Sequence, residues 1–300
     1  MRIPEKMKAA VLYDFNDVRL EERPVPTPGP GEALVKIEAC GVCAGDIKII
    51  TRGMPKQPPM GEFIIGHEYA GTIAALGETV DEFKIGDRVV VEVHKGCGRC
   101  RNCIMGKYTV CLNYGNSAKG HRANGFTTNG GFAEYAVNHV NTLIKLPDTI
   151  SIDEATTITT AGTSLYGIDM AGGYIPGDTV AVLGPGSIGL MAIQCSKALG
   201  AGKVILTGTR DNRLTLGKKL GADVGVNVKK EDPVQKIKAL TGGRGADFVL
   251  VASGQEASLQ QALEMSRKGG DITILAHFEK PVMTDIGLAV KNGINLYTVR

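Results

Sequence analysis

The stretch from Thr179 to Thr207 limits the possible folds of this chain more than any other. An apolar run, Thr179-Val-Ala-Val-Leu183, leads into Gly184-Pro-Gly186-Ser-Ile-Gly189. A helix-like segment, Leu190–Leu199, follows, and then a second apolar run, Lys203-Val-Ile-Leu-Thr207. Strand, glycine turn, helix and strand in that order is the context in which G-x-G-x-x-G signifies dinucleotide binding. Gly184 permits the tight turn, Gly186 lets the backbone approach a pyrophosphate, and Gly189 lets the helix lie close to the sheet. The N–H groups of Ser187, Ile188 and Gly189 at the helix start would face the phosphates, and the helix dipole adds to the attraction.

The alternation extends over the whole second half. The spacing predicts strands at Val180–Leu183, Val204–Thr207, Val224–Asn227, Phe248–Ala252, Ile272–Leu275 and Leu296–Val299. Helices are expected between them at Ile188–Leu199, Arg213–Leu220, Pro233–Leu240 and Ala257–Arg267, which describes a doubly wound parallel sheet. On the first of these helices Ile188, Met191, Ala192, Cys195 and Leu199 share a stripe, so Cys195 reads as a core residue. Ser151-Ile-Asp-Glu154 has capping-box spacing, and a long helix is expected at Ser164–Gly172. Residues 7–150 read differently. Short strands at Met7–Tyr13, Glu32–Ala39, Ala70–Leu76, Arg88–Val93 and Phe132–Val137 are separated by Gly and Pro clusters, with only a turn or two of helix near Asp46.

Four of the seven cysteines, Cys97, Cys100, Cys103 and Cys111, crowd into one stretch of this β-rich half. Cys-x2-Cys-x2-Cys-x7-Cys supplies four thiolates for a closed tetrahedral zinc site, and Lys95, Arg99, Arg101 and Lys107 would offset its negative charge. An iron–sulfur cluster fits less well, because the last gap is wide and no Pro follows Cys111. A net charge of +3 with 22% charged residues gives no basic surface for nucleic acid and no membrane-surface signature. No secretory or membrane-spanning run is visible, so the expected compartment is the cytoplasm.

Cys40-Gly-Val-Cys43-Ala-Gly-Asp46 and Gly66-His67-Glu68 form a sparser constellation. On spacing alone, Cys43 reads as a buried apolar side chain and His67 as a satisfied core imidazole.

The chain resembles the zinc-containing medium-chain dehydrogenase/reductase family, and within it the polyol (sorbitol-type) and threonine dehydrogenase branch. Cys43 with Asp46, Gly66-His67-Glu68 and the four-cysteine stretch carry that resemblance. Gly86-Asp87-Arg88-Val89, Gly130-Gly131-Phe132-Ala133-Glu134-Tyr135 and the glycine turn complete it, in the family's order. It implies an α/β protein with a GroES-like β-rich catalytic domain over residues 1–150 and a Rossmann domain over 151–300. Cys43, His67 and Glu68 would be the catalytic zinc ligands, giving two zincs per chain. Asp46 would hydrogen-bond His67 and fix its tautomer.

The activity implied is hydride transfer between a secondary alcohol, most readily a polyol, and a nicotinamide cofactor, with zinc lowering the pKa of the alcohol. Alternatives are a threonine-type amino-alcohol dehydrogenase and a non-catalytic NAD(P)-binding protein. A homodimer or homotetramer is the expected assembly.

Three departures from the family pattern matter. Thr157-Ile-Thr159-Thr160-Ala-Gly162 stands where other branches carry a cysteine ligand or a nearby glutamate, which leaves Glu68 as the third ligand. Gly45 and Lys48 occupy the positions of the usual proton relay, so Lys48, or a water near Glu68, would have to carry the proton. The second Rossmann strand ends Thr207-Gly208-Thr209-Arg210, with Gly208 where an NAD-specific acid would stand. Gly208 is expected to leave room there and Arg210 to pair a 2′-phosphate, with Asp211 as a helix N-cap, so NADP is favoured over NAD. Relatives usually return to the catalytic domain after the last strand. This chain ends at Val299-Arg300, so it is expected either to be truncated or to lack that segment.

Overall fold

A computed structural model describes residues 2–300. The chain divides into two compact units, one running to Thr159 and the other from Thr160 to Arg300. In the first unit β1 (Lys6–Asp14) and β2 (Asp17–Pro24) make a hairpin, with Asn16 in the left-handed region (φ 62°) at its turn. The unit continues with β3 (Glu32–Gly41), α1 (Ala44–Arg52), β4 (Phe63–Ile64), β5 (Glu68–Leu76), β6 (Arg88–Val91) and β7 (His94–Lys95). After α2 (Arg101–Ile104) come β8 (Arg122–Ala123), β9 (Tyr135–His139), β10 (Leu143–Lys145) and α3 (Ile152–Ala155). A five-stranded sheet in the order β10-β6-β5-β3-β9 is joined by the three-stranded β2-β1-β4 and the short pair β7-β8. Leu34, Val35, Tyr69, Ile73 and Val89 fill the interior.

β2 escaped the sequence reading because Asp17-Val-Arg-Leu-Glu-Glu-Arg-Pro24 is charged and has no buried residue; its strand character comes from pairing with β1. The helix near Asp46 is longer than the turn or two expected, since it is capped at both ends: by Cys43 and Asp46 at the start and by Gly53 (φ 67°) at the finish.

α4 (Ile158–Met170) leads into the second unit and begins earlier than the Ser164 start expected. There follow β11 (Thr179–Leu183), α5 (Ser187–Ala198), β12 (Lys203–Gly208), α6 (Asp211–Lys219), β13 (Val224–Asn227) and α7 (Pro233–Leu240). β14 (Ala246–Val251), α8 (Ala257–Met265), β15 (Ser266–Ile274), α9 (Ile286–Asn292) and β16 (Asn295–Thr298) complete it. The helix expected to run to Arg267 stops at Met265, because the chain enters β15 at once.

All six strands are parallel, in the order β13-β12-β11-β14-β15-β16, which is the Rossmann order. Alternate residues of each strand serve opposite faces. Val180, Val182, Val204 and Leu206 pack with Ile193 of α5 and Leu214 of α6, whereas Ala181, Leu183, Ile205 and Val249 pack with Ile237 of α7 and Leu263 of α8. The stripe on α5 is shifted from the expected one. Leu190, Ala192, Ile193, Cys195 and Ser196 are buried, and Leu199 is 47% exposed because the helix ends before it. The strand order reverses between β11 and β14, so the crevice for a ligand opens at their C-terminal ends. Among the described residues no helix is long and apolar enough to cross a membrane.

Candidate functional site

Cys43, His67 and Glu68 come from three places in the first unit: the N-cap of α1, the residue before β5, and the first residue of β5. One ligand atom from each lies within 4.8 Å of the others. Cys43-Ala-Gly-Asp46 is a capping box in which Cys43 N–H donates to Asp46 Oδ2 at 2.8 Å and Gly45 N–H donates to Cys43 Sγ at 3.4 Å. The helix start therefore fixes the sulfur and directs a partial positive charge at it. Asp46 turns its other oxygen to His67 Nδ1 at 3.1 Å, which leaves Nε2 as the nitrogen that can offer its lone pair to a metal. The Phe126 ring covers the imidazole at 4.4 Å, and Gly131 N–H donates to the Gly66 carbonyl at 2.8 Å, holding the chain just before His67.

Asp46, His67 and Glu68 are all buried. Burial opposes a charge on His67, but the Asp46 carboxylate and the Cys43 sulfur outweigh it and raise its pKa to about 9. Burial pushes Glu68 up, with His67 opposing. One sulfur, one imidazole nitrogen and one carboxylate oxygen facing a common point is the donor set of a three-ligand zinc site, and the surrounding field favours a cation. Lys48 lies half-buried on α1, two residues beyond Asp46.

The sulfurs of Cys97, Cys100, Cys103 and Cys111 also lie within 4.8 Å of one another. Cys97 Sγ to Cys103 Sγ and Cys100 Sγ to Cys111 Sγ are each 3.9 Å. A disulfide needs about 2 Å, whereas a tetrahedron with Zn–S of about 2.3 Å has edges of about 3.8 Å. The cluster fits a closed four-thiolate site. The Asn113 amide donates to Cys97 Sγ at 3.2 Å and, with the Arg99 N–H, holds that thiol well below the ordinary range.

In the second unit a cavity of about 480 Å³ opens at the C-terminal ends of β11, β12 and β14. Gly184, Gly186, Gly208, Thr209 and Arg210 line it, while Ser187, Ile188 and Gly189 lie in the first turn of α5 and do not. The three turn glycines are glycine for different reasons. Gly184 has φ +102°, and a Cβ on Gly189 would sit 1.9 Å from the Gly184 carbonyl oxygen. A Cβ on Gly186 would meet no protein atom within 4 Å. Backbone conformation accounts for the first and packing for the second, while the third faces open space of the kind a pyrophosphate would fill.

Two details differ from the sequence reading. Gly208 does not leave room, since a Cβ there would lie 2.6 Å from Pro185 Cγ. Asp211 is not an N-cap: Arg210 holds that position, and Asp211 accepts from Asn227 Nδ2 at 2.6 Å and Lys230 Nζ at 2.8 Å. Sequence reasoning also missed the Gly45 N–H, Phe126 and Asn113, and the cavity residues Ser253 and Gln255. Only the last two carried a signal, standing just after a strand end in a doubly wound sheet.

Two family models match the chain: the alcohol dehydrogenase GroES-like domain over residues 29–148 and the zinc-binding dehydrogenase over residues 187–300. Sorbitol dehydrogenase of Bacillus subtilis is 34% identical over 303 residues, covering 99% of this chain and 83% of its own. L-threonine 3-dehydrogenase of Bacillus velezensis is 34% identical over 283 residues, covering 94% and 79%. A structure from Sinorhizobium meliloti, assigned as a zinc-binding dehydrogenase and bound to NADP, superposes with a TM-score of 0.90 at 28% identity, covering 98% of this chain and 84% of that one.

Proposed function

The chain belongs to the zinc-containing medium-chain dehydrogenase/reductase family, and from that membership we propose that it oxidises a secondary alcohol of a polyol or sugar, or reduces the carbonyl, with NADP as its coenzyme. The observation that carries the proposal is the convergence of Cys43, His67 and Glu68, with Asp46 behind the imidazole. When bound, zinc supplies Lewis acidity to the hydroxyl oxygen and the nicotinamide accepts the hydride.

The chain's own residues do the rest. Asp46 keeps a proton on His67 Nδ1, so that Nε2 presents a lone pair in a fixed direction. The Gly45 N–H donates to Cys43 Sγ and holds the sulfur in place, and the buried Glu68 completes the donor set with a carboxylate that leaves the ion's acidity available to substrate. Cys97, Cys100, Cys103 and Cys111 would hold a second, structural zinc. Lys48, or a water beside Glu68, is what we assign to the proton's way out. A pH–rate profile unchanged in Lys48→Ala and Glu68→Gln would remove both from that role.

NADP rather than NAD is favoured by the lack of an acid at position 208 and by Arg210, exposed at the cavity wall. We take the working form to be a cytoplasmic homodimer or homotetramer. The test is a panel of polyols, sugars and amino alcohols assayed with both coenzymes. Turnover of polyols with NADP is expected. Turnover of threonine alone would transfer the assignment to the amino-alcohol branch, which the threonine dehydrogenase relative keeps in view.

A further inference from the structure

Pro185 and Gly208 stand in close contact although one belongs to the glycine turn after β11 and the other ends β12. A Cβ built on Gly208 would lie 2.6 Å and 2.7 Å from Pro185 Cγ and Cδ, and 3.4 Å from Leu214 Cδ2. Real Cβ atoms do not approach carbon so closely. Gly208 has no left-handed backbone, so space and not φ demands glycine here. The proline ring has little freedom to retreat, because its φ is fixed and the turn is held by the Arg213 Nη1 contact to the Pro185 carbonyl at 3.4 Å. The next carboxylate along the chain, Asp211, is tied to Asn227 and Lys230 and is not a substitute for an acid at the strand end.

We propose that Pro185 is a specificity-determining residue: its ring fills the volume that an acidic side chain at position 208 would need, so the pair Pro185–Gly208 excludes a ribose-binding carboxylate and leaves the 2′ position to Arg210. This rests on the reading of the cavity as a dinucleotide site. The coenzyme preference is then built into two positions at once, and changing either alone does not reverse it.

A double-mutant cycle tests this. The variants are Gly208→Asp, Pro185→Ala and the two combined, with Kd for NADH and NADPH read from nicotinamide fluorescence and Tm from calorimetry. Gly208→Asp alone should lower Tm and gain no NADH affinity. Combined with Pro185→Ala, it should fold and shift the NADH-to-NADPH affinity ratio toward NADH by about tenfold. Gly208→Ala, which adds only the Cβ, should depress Tm in the wild-type background and much less in the Pro185→Ala background. Equal NADH affinity in Gly208→Asp and the double variant would overturn the inference, as would an equal Tm loss from Gly208→Ala in both backgrounds. If no form binds either coenzyme, the dinucleotide reading fails, and the Gly208→Ala melting cycle still decides whether Pro185 occupies that volume.

Discussion

Asp46 holds His67 by a contact of 3.1 Å between Oδ1 and Nδ1, in a place where both side chains are almost wholly removed from water. The same carboxylate accepts the Cys43 N–H, so one side chain orients two of the three converging donors. A buried acid tied this way would act on a metal held there through the side chains it aims.

Replacing Asp46 by Asn keeps the shape of the capping box and removes the charge behind the imidazole. Affinity at the Cys43–His67–Glu68 site should fall about 10- to 100-fold, while the four-cysteine site keeps its own. Titration with cobalt separates the two, because one-thiolate and four-thiolate sites differ in their absorption. Unchanged affinity at the mixed site would show that Asp46 serves only the helix start.

Gly186 and Gly189 should respond to alanine in opposite ways. Gly189→Ala places a Cβ 1.9 Å from the Gly184 oxygen and should destabilise the second unit by about 1–3 kcal/mol or more. Gly186→Ala meets no protein atom, so Tm should stay near wild type while NADPH binding weakens. Loss of Tm in Gly186→Ala would show that this glycine, too, serves the fold.

How much of this was legible beforehand can be read from single residues. The cysteine spacing and the glycine turn are local patterns, and the alternation of strands and helices after Ser151 follows from period alone. Cys43 and His67 were ambiguous until set in the order of a family, since nothing local separates a ligand from a core side chain. The β2 strand was hidden because its only reason to be a strand is its partner. Pro185 against Gly208, and Phe126 against His67, are contacts between distant positions that no periodicity reports.

Asp247 gives a pH prediction. Burial works against its carboxylate, but the Thr179 N–H at 2.9 Å and the Arg267 guanidinium at 2.7 Å outweigh it and hold its pKa below the usual value. A lowered folded pKa means that the stabilisation is present above the unfolded carboxylate value of about 3.9 and is lost as pH falls through the lower, folded one. Asp247→Asn should cost about 1–3 kcal/mol at neutral pH, with the gap to wild type closing on acidification below about pH 4. Denaturant midpoints measured across that range check it, and a gap independent of pH would contradict the assignment.

The most direct test of the account is metal content of the purified chain, counted with and without Cys43→Ala. Two zinc ions per chain are expected, corresponding to the two donor groups, with one lost in the variant and the four-cysteine ion retained. A single ion in both proteins would contradict it, since Cys43, His67 and Glu68 would then converge on a point that holds no metal.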